Sequence, residues 1–173
     1  MTRHGFLGGT FDPVHTGHLD VARAARAALA LDDVRFVPSN VPPHRTPPQA
    51  SAADRFAMVE LAVRDEPGMS ASDLELHGSG PSYTADTIDR LAAQGMDTRA
   101  LFFITGADAF RDIAMWKDYP RILDRCHFVA VSRPGCPAPS LRAALPALAE
   151  RMIDAPAEIP AAPRIVLVDA PTA

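Results

Sequence analysis

Two histidines, His15 and His18, follow a glycine-rich turn that begins at Gly8 and Gly9. Residues three apart on a helix share one face, and an imidazole N–H can donate a hydrogen bond to a phosphate oxygen. Paired glycines let the main chain approach a ligand where a Cβ would collide. The start of the following helix should add free N–H groups and a positive dipole end. The pattern therefore predicts an anion site at a strand-to-helix junction.

Other interpretations of this stretch stay open when its pieces are taken singly. Histidines at this spacing are often metal ligands or surface residues, but a zinc site needs four ligands and the local sequence adds only Asp12. A carboxylate at that position would be repelled by phosphates unless a cation lay between them. Neither the Walker pattern nor G-x-G-x-x-G is present. The ordered combination on one junction favours a phosphate site of another type.

The elements that must hold these residues alternate between strand and helix. Apolar runs predict strands at 5–8, 34–37, 69–76, 101–104, 128–131 and 165–168. Periodic apolar residues and caps predict helices at 16–31, after Ser51, at 84–94, after Gly106 and at 120–125, with Pro146 splitting a later one. This alternation predicts an α/β fold with a doubly wound parallel sheet. Ligands of such sheets bind beyond the carboxyl ends of the strands, where strand order reverses.

Later motifs also follow predicted strands. In PSNVPPHR, residues 38–45, rigid prolines present His44 and Arg45, and a guanidinium binds phosphate strongly. The alternative is a solvated loop. In PSYTADT, residues 81–87, Ser82 or Thr84 taken alone is most simply a helix cap.

Three more residues suggest nucleotide contacts. Gly106 leaves room for a ligand across a strand end, and Asp108 could accept hydrogen bonds from ribose hydroxyls. Trp116 is the only tryptophan and stands among polar residues, where its ring could stack on a flat heterocycle or simply cover a helix end.

Composition excludes several classes of protein. The 173 residues fit one domain, and the formal net charge of -4 argues against a nucleic-acid partner. No segment approaches the ~20 apolar residues of a membrane span, so we expect no membrane partner. Two cysteines and the lack of a signal-peptide pattern predict a reduced, cytoplasmic protein. The sequence leaves the oligomeric state unknown.

The ordered motifs GGTFDPVHTGH, PPHR, PSYTADT, GAD with a following tryptophan, and SRPG resemble the bacterial nicotinate-nucleotide adenylyltransferases, over residues 6–135. These belong to the H-x-G-H nucleotidyltransferases, of Rossmann-like, adenine nucleotide alpha hydrolase-like fold. The resemblance implies adenylyl transfer from ATP to nicotinate mononucleotide in NAD biosynthesis, giving deamido-NAD and pyrophosphate. It implies Mg²⁺ held mainly by ATP phosphates, with no metal bound by side chains.

The resemblance also implies a role for each motif residue. His15 and His18 stabilise the ATP phosphates. The other residues on the ATP side are Gly8, Gly9, Thr10, Phe11, Gly17, Gly106, Asp108 and Arg133. The residues on the mononucleotide side are Asp12, His44, Arg45, Ser82, Tyr83, Thr84 and Trp116. Among them, Thr84 and its main-chain neighbours hold the nicotinate carboxylate, and Trp116 stacks on the pyridine ring.

The chain departs from the family in one respect. The family carries a phosphate motif of the type I-S-S-T-x-x-R after its last core strand, and no such motif occurs here. We therefore expect residues 1–173 to be a single nucleotidyltransferase domain lacking the C-terminal part, with weak or no turnover. The rivals are a non-catalytic nucleotide-binding module and an adenylyltransferase for nicotinamide mononucleotide or pantetheine phosphate. A pantetheine-phosphate enzyme shares the first motif but gives no reason for PSYT or Trp116.

Overall fold

The protein is built around one parallel sheet. The structure, a computed structural model, describes residues 2–43, 46–78, 80–156 and 158–173. Within these ranges the strands are β1 His4–Gly9, β2 Asp33–Pro38, β3 Met69–Ala71, β4 Leu101–Gly106, β5 His127–Val131, β6 Met152–Asp154 and β7 Ile165–Val168. All neighbouring strands are parallel, in the order β3-β2-β1-β4-β5-β7-β6. Winding reverses between β1 and β4, so the predicted doubly wound sheet is confirmed.

Helices cover the sheet. The α-helices are α1 Thr16–Leu29, α2 Ala52–Val63, α3 Thr84–Ala93, α4 Ala107–Phe110 and α5 Leu141–Ala144. Shorter 3₁₀ helices span Thr98–Ala100, Ile113–Met115, Arg121–Asp124, Ala138–Ser140 and Pro146–Arg151. In the part of the chain that the structure describes, no helix has the length and apolar character needed to cross a bilayer.

The central strands are apolar on both faces because helices lie on both faces of the sheet. Successive side chains of a strand point to opposite faces, and in β4 this places Phe102 in one apolar cluster and Phe103 in the other. The Phe103 cluster includes Ile88 of α3. The Phe102 cluster includes Val21 of α1 and Val59 of α2. The two clusters fix α1 and α3 on opposite sides of the strand ends that form the site.

Two expectations about elements need correction, and one strand was not expected. The strand expected over 69–76 ends at Ala71, because the chain then turns and the N–H of Leu76 donates to the Asp73 carbonyl at 2.8 Å. The helix expected over 120–125 is a 3₁₀ helix that begins after Pro120. The edge strand β6 was not predicted, since three residues carry too little periodicity to be recognised. The break at Pro146 is confirmed, with α5 before it and a 3₁₀ helix from it.

Candidate active site

A cleft of about 320 Å³ opens at the carboxyl edge of the sheet, where β1, β2 and β4 end. The switch in strand order falls at the same place. Seven of the predicted site residues line this cleft: Gly8, Gly9, Thr10, Ser82, Tyr83, Thr84 and Trp116. Other lining residues that sequence reasoning missed are Ser39, Glu75, Asp112 and Lys117.

His15 and His18 cap the helix on which they lie. The Nδ1 of His15 accepts the N–H of Gly17 at 3.1 Å, and the Nδ1 of His18 accepts the N–H of His15 at 3.1 Å. A neutral imidazole that accepts at one nitrogen carries its proton on the other. Both rings therefore hold a proton on Nε2, and their centroids lie 3.9 Å apart. The pair presents two donors for a ligand from one helix end.

This capping changes the expectation that the helix start offers free N–H groups. The rings already occupy the N–H groups of His15 and Gly17, and the N–H of His18 donates to the carbonyl of His15 at 3.0 Å. The imidazole Nε2–H groups make no hydrogen bond within the described residues, so they remain as donors at this helix end. An anion at this site would be held chiefly by the rings.

The environment of His18 keeps its ring neutral. Burial lowers its pKa to about 4, and the charge that His15 carries when protonated and the charge of Arg133 act in the same direction. The edge of the Phe11 ring meets the His18 ring with 4.9 Å between centroids. A bound anion would oppose all three effects and raise the pKa of His18. At neutral pH the ring is therefore a neutral donor, and an approaching anion favours its protonation.

Phe11, expected on the ATP side, packs against His18 and, like both histidines, is not among the residues that line the cleft. Its side chain is 1% exposed and packs against Phe36, with the residue at a positive φ of 53°. A Cβ added at Gly9 would lie 3.0 Å from this ring. Gly9 is therefore needed for packing the ring as well as for any approach of a ligand. The side chain of Phe11 orients His18.

The hydrogen bonds of Asp12 explain why a carboxylate occurs near a predicted phosphate site. Its two oxygens accept the N–H groups of Gln49 at 2.8 Å and Ala50 at 3.2 Å. The side chain thereby ties the loop after β1 to the segment that precedes α2. Its partners are main-chain groups of the protein, although the sequence suggested a mononucleotide contact. His44 and Arg45, expected at the phosphates, lie outside the described residues.

The start of α3 forms the second wall of the cleft. Ser82 links this wall to the loop after β2, because its Oγ accepts the N–H of Asn40 at 2.9 Å and its N–H donates to the Val41 carbonyl at 2.8 Å. The N-cap of α3 is Tyr83, and no side chain of the described residues caps it. The interpretation of Ser82 or Thr84 as a helix cap is therefore not what the structure shows. The first N–H groups of α3 stay available for an anion.

Trp116 and Lys117 complete this end of the cleft. The Trp116 ring is half-buried and meets Phe128 edge-on, with centroids 6.3 Å apart, while the residue also lines the cleft. Lys117 Nζ lies 2.7 Å from Asp86 Oδ1 and 5.0 Å from the centroid of the Tyr83 ring. A flat ring and a cation thus flank the start of α3. Lys117 stands next to the only tryptophan in the sequence, and this position is the feature that points to it as a site residue.

The remaining predicted residues border α1, outside the set that lines the cleft. Arg133 Nη1 donates to the carbonyl of Ala173 at 2.7 Å. A Cβ at Gly17 would lie 2.7 Å from the same Nη1, and one at Gly106 would lie 2.6 Å from Asp108 Oδ1 and 2.9 Å from the Arg133 side chain. Gly17 therefore lets the Arg133 guanidinium approach the start of α1, and Gly106 leaves room for the Asp108 and Arg133 side chains at the end of β4.

Glu75 is an ionisable group in the wall of the cleft. It is 7% exposed, and this burial raises its pKa to about 7, against the opposing effect of hydrogen bonds from the Thr87 and Ser82 hydroxyls. No local pattern pointed to it, because it fell in a segment expected to be a strand. At neutral pH the carboxyl is divided between its two protonation states.

Comparison with known proteins places the chain in a family. The cytidylyltransferase-like family model matches residues 6–168. A probable nicotinate-nucleotide adenylyltransferase of Thermus thermophilus is 48% identical over 135 residues, which cover 78% of this chain and 72% of that protein. One of Citrifermentans bemidjiense is 46% identical over 145 residues, covering 83% and 67%. The chain belongs to the nicotinate-nucleotide adenylyltransferase family.

Two further comparisons bear on length and fold. A family member from Desulfatibacillum aliphaticivorans is 45% identical over 133 residues, and the match covers 76% of this chain but 60% of that protein. The match thus spans between 60% and 72% of these relatives. The structure of Plasmodium falciparum nicotinic acid mononucleotide adenylyltransferase complexed with NaAD matches with a TM-score of 0.70 at 18% identity, over 84% of this chain and 72% of that one. This likeness shows the same fold.

The two perturbed groups of the site predict opposite pH dependences of stability. The pKa of Glu75 is raised in the folded state. The contribution of its protonated carboxyl to the free energy of unfolding is therefore complete below about pH 4.5 and is lost as the pH rises through about 7. The pKa of His18 is lowered in the folded state. The contribution of its neutral ring to the free energy of unfolding is therefore complete above pH 6.5 and is lost as the pH falls towards 4. We expect the free energy of unfolding of Glu75→Gln, relative to wild type, to rise between pH 4.5 and 7 by on the order of 3 kcal/mol.

His18→Asn is the matched variant, because an amide oxygen can replace the Nδ1 acceptor of the cap but does not titrate. Relative to wild type, its free energy of unfolding should fall as pH rises from 4 to 6.5. Urea unfolding curves across this pH range measure both differences. Profiles that stay parallel to wild type in both variants would contradict the assigned ionisation states.

Proposed function

We propose that this chain catalyses adenylyl transfer from ATP to nicotinate mononucleotide, giving deamido-NAD and pyrophosphate, and that residues 1–173 act as one nucleotidyltransferase domain. The observation that carries the proposal is the pair of Nε2–H donors on His15 and His18 at the start of α1. They stand at the carboxyl end of β1, and the cleft beside them has an uncapped helix start and a tryptophan. The relatives carry the name of this activity.

The reaction needs alignment more than proton transfer. An oxygen of the mononucleotide phosphate, already ionised at neutral pH, attacks the α-phosphorus of ATP. The bond from that phosphorus to the bridging oxygen breaks, and pyrophosphate leaves with the electron pair. The protein therefore has to orient two anions and stabilise the negative charge that gathers on the α-phosphate and the leaving group. Neutral, preorganised Nε2–H donors meet this requirement, and the pKa of His18 rises as that charge approaches.

The ATP side comprises the turn after β1 and the residues that border α1. We assign the phosphates to His15 and His18, with Arg133 close to the same helix start. Asp108 is exposed, lies with the Arg133 side chain at Gly106, and has carboxylate oxygens for ribose hydroxyls. The backbone contacts of this side would come from Gly8, Gly9, Thr10, Gly17 and Gly106.

The mononucleotide side is the cleft itself. The Trp116 ring is available for stacking on the pyridine, and the N–H groups that begin α3 at Thr84 are available for a carboxylate. Lys117, paired with Asp86, lies at the same end. Free N–H donors favour an acid over an amide, which supports nicotinate over nicotinamide as the ring. We assign His44 and Arg45 of the PPHR loop to binding of the mononucleotide phosphate.

We propose that a divalent ion, Mg²⁺, accompanies ATP. Within the described ranges, no group of three or more His, Cys, Asp or Glu side chains is arranged to hold a metal ion. An ion bound mainly by phosphate oxygens fits this donor set, and it would offset charge on the phosphates.

Release of pyrophosphate tests the function. We expect pyrophosphate, at the weak rate expected for this chain, from ATP, Mg²⁺ and nicotinate mononucleotide, and far less with nicotinamide mononucleotide or pantetheine phosphate. We expect His18→Ala to lower kcat by about 10²–10³-fold, the loss seen when one transition-state donor is removed. His18→Asn should lose as much, although it keeps an acceptor for the helix cap.

The control separates chemistry from folding. Unfolding curves should show His18→Asn close to wild type in stability at pH 7.5, with any larger loss confined to His18→Ala. Near-wild-type turnover in either variant would contradict the role of His18. Binding of both nucleotides by calorimetry without any pyrophosphate would support the rival, a non-catalytic binding module.

Trp116 gives a second prediction. Trp116→Ala should raise the KM for the mononucleotide roughly tenfold, because stacking on a base contributes about 1–3 kcal/mol, and should leave the KM for ATP nearly unchanged. Trp116→Phe keeps an aromatic face and should lose less. Steady-state kinetics with each substrate varied in turn measures both constants. An equal rise in both KM values would show that the tryptophan supports the fold and does not bind the pyridine.

A further inference from the structure

Arg55 of α2 is a buried cation whose hydrogen bonds all go to main-chain carbonyls. Its side chain is 1% exposed. Nη1 donates to the carbonyls of Thr10 at 2.8 Å and Ser39 at 2.7 Å, Nη2 to that of Asn40 at 3.2 Å, and Nε to that of Ala50 at 3.2 Å. One side chain therefore joins three segments: the turn after β1, the loop after β2 and the entry to α2.

Burying this charge is costly. Removal of a guanidinium from water without a hydrogen-bonded carboxylate is unfavourable, and burial lowers the pKa of Arg55, with the charge of Asp12 opposing the shift. An apolar side chain at position 55 would avoid that cost. The buried guanidinium instead makes four hydrogen bonds to main-chain carbonyls. These bonds indicate that the joined segments must be held in fixed positions.

Two of the joined segments face the ligand. Thr10 and Ser39 both line the cleft. The N–H of Ser39 donates to the Gly9 carbonyl at 2.9 Å. This main-chain hydrogen bond and the Arg55 guanidinium both join the loop after β2 to the end of β1 and its turn. The Oγ of Ser39 is buried and has no hydrogen-bond partner in the described parts of the chain. Asp12 fastens the same turn to the entry of α2 through Gln49 and Ala50.

We propose that Arg55 is a positioning residue that fixes the separation of the turn after β1 from the loop after β2. This inference rests on the proposed function, in which the turn binds ATP and the loop leads to the PPHR motif at the mononucleotide phosphate. In-line attack needs the reacting atoms about 3–3.5 Å apart, and a displacement of about 1 Å can cost 10²-fold in rate. The guanidinium acts behind the ligand surface, through the carbonyls it binds.

Arginine is suited to this role by geometry. Its planar fork carries five N–H donors in fixed directions, whereas a lysine ammonium is a compact charge on a flexible stem. Lysine at position 55 would keep the charge but could not reach the carbonyls of Thr10, Ser39 and Asn40 together. Arg55→Lys therefore separates the geometric role from a purely electrostatic one.

The experiment compares Arg55→Lys with Val59→Ala, one turn further along α2. Val59 is fully buried in the adjacent apolar cluster, so its truncation weakens packing but removes no hydrogen bond to either loop. For folded Arg55→Lys we expect kcat to fall about 100-fold, while the KM for each substrate changes less than about threefold. Val59→Ala should keep wild-type kcat per folded molecule. Wild-type kcat in Arg55→Lys, or an equal loss in both variants, would overturn the proposal.

A second readout does not depend on turnover. Hydrogen exchange at the N–H groups of Ser39 and Gln49 should accelerate at least about tenfold in Arg55→Lys relative to the β4 amides, because these groups bridge the joined segments. In Val59→Ala it should change only in parallel with β4. Equal exchange at both sites in the two variants would also overturn the proposal. A wild-type chain that releases no pyrophosphate would count against the proposed function alone, since the exchange comparison still decides the role of Arg55.

Discussion

The arrangement of the site depends on the common direction of the strands. Because neighbouring strands of the described sheet are all parallel, the turns after β1, β2 and β4 leave from one edge. The reversal of winding between β1 and β4 then opens a cleft at that edge, with α1 and α3 on either side. Residues as distant in sequence as Gly9, Ser39, Thr84 and Trp116 thus come to line one cavity.

The ionisable groups around this edge form hydrogen bonds with main-chain groups of the protein, and only some of their atoms remain for a ligand. His15 and His18 use Nδ1 to cap α1, which leaves Nε2–H for phosphate. Asp12 and Arg55 bind main-chain groups of the loops that carry the site. The phosphate chemistry is therefore assigned to a small number of donors, while the exposed Asp12 and the buried Arg55 hold the loops around them. This division accounts for a carboxylate beside a proposed phosphate site.

The sequence predicted the parallel α/β architecture and the family because apolar runs and ordered motifs are local features. It also predicted seven residues that line the cleft. It did not predict that Phe11 would turn inward behind His18, or that Asp12 would bind the chain near Gln49, because these contacts depend on tertiary packing. Arg55 and Glu75 escaped notice for the same reason: a charged residue in a sequence is expected to be exposed until the fold buries it.

The central claim is that both histidines are neutral donors that aim Nε2–H at the phosphates of ATP. Nitrogen-15 NMR of the imidazole rings tests it most directly, since the two ring nitrogens have distinct shifts in each protonation state. At neutral pH the free protein should show protonated Nε2 and unprotonated Nδ1 on His15 and His18, and ATP should shift both Nε2 resonances and raise the pKa of His18. Protons on Nδ1 in the free protein, or Nε2 resonances that do not move at saturating ATP, would contradict the account.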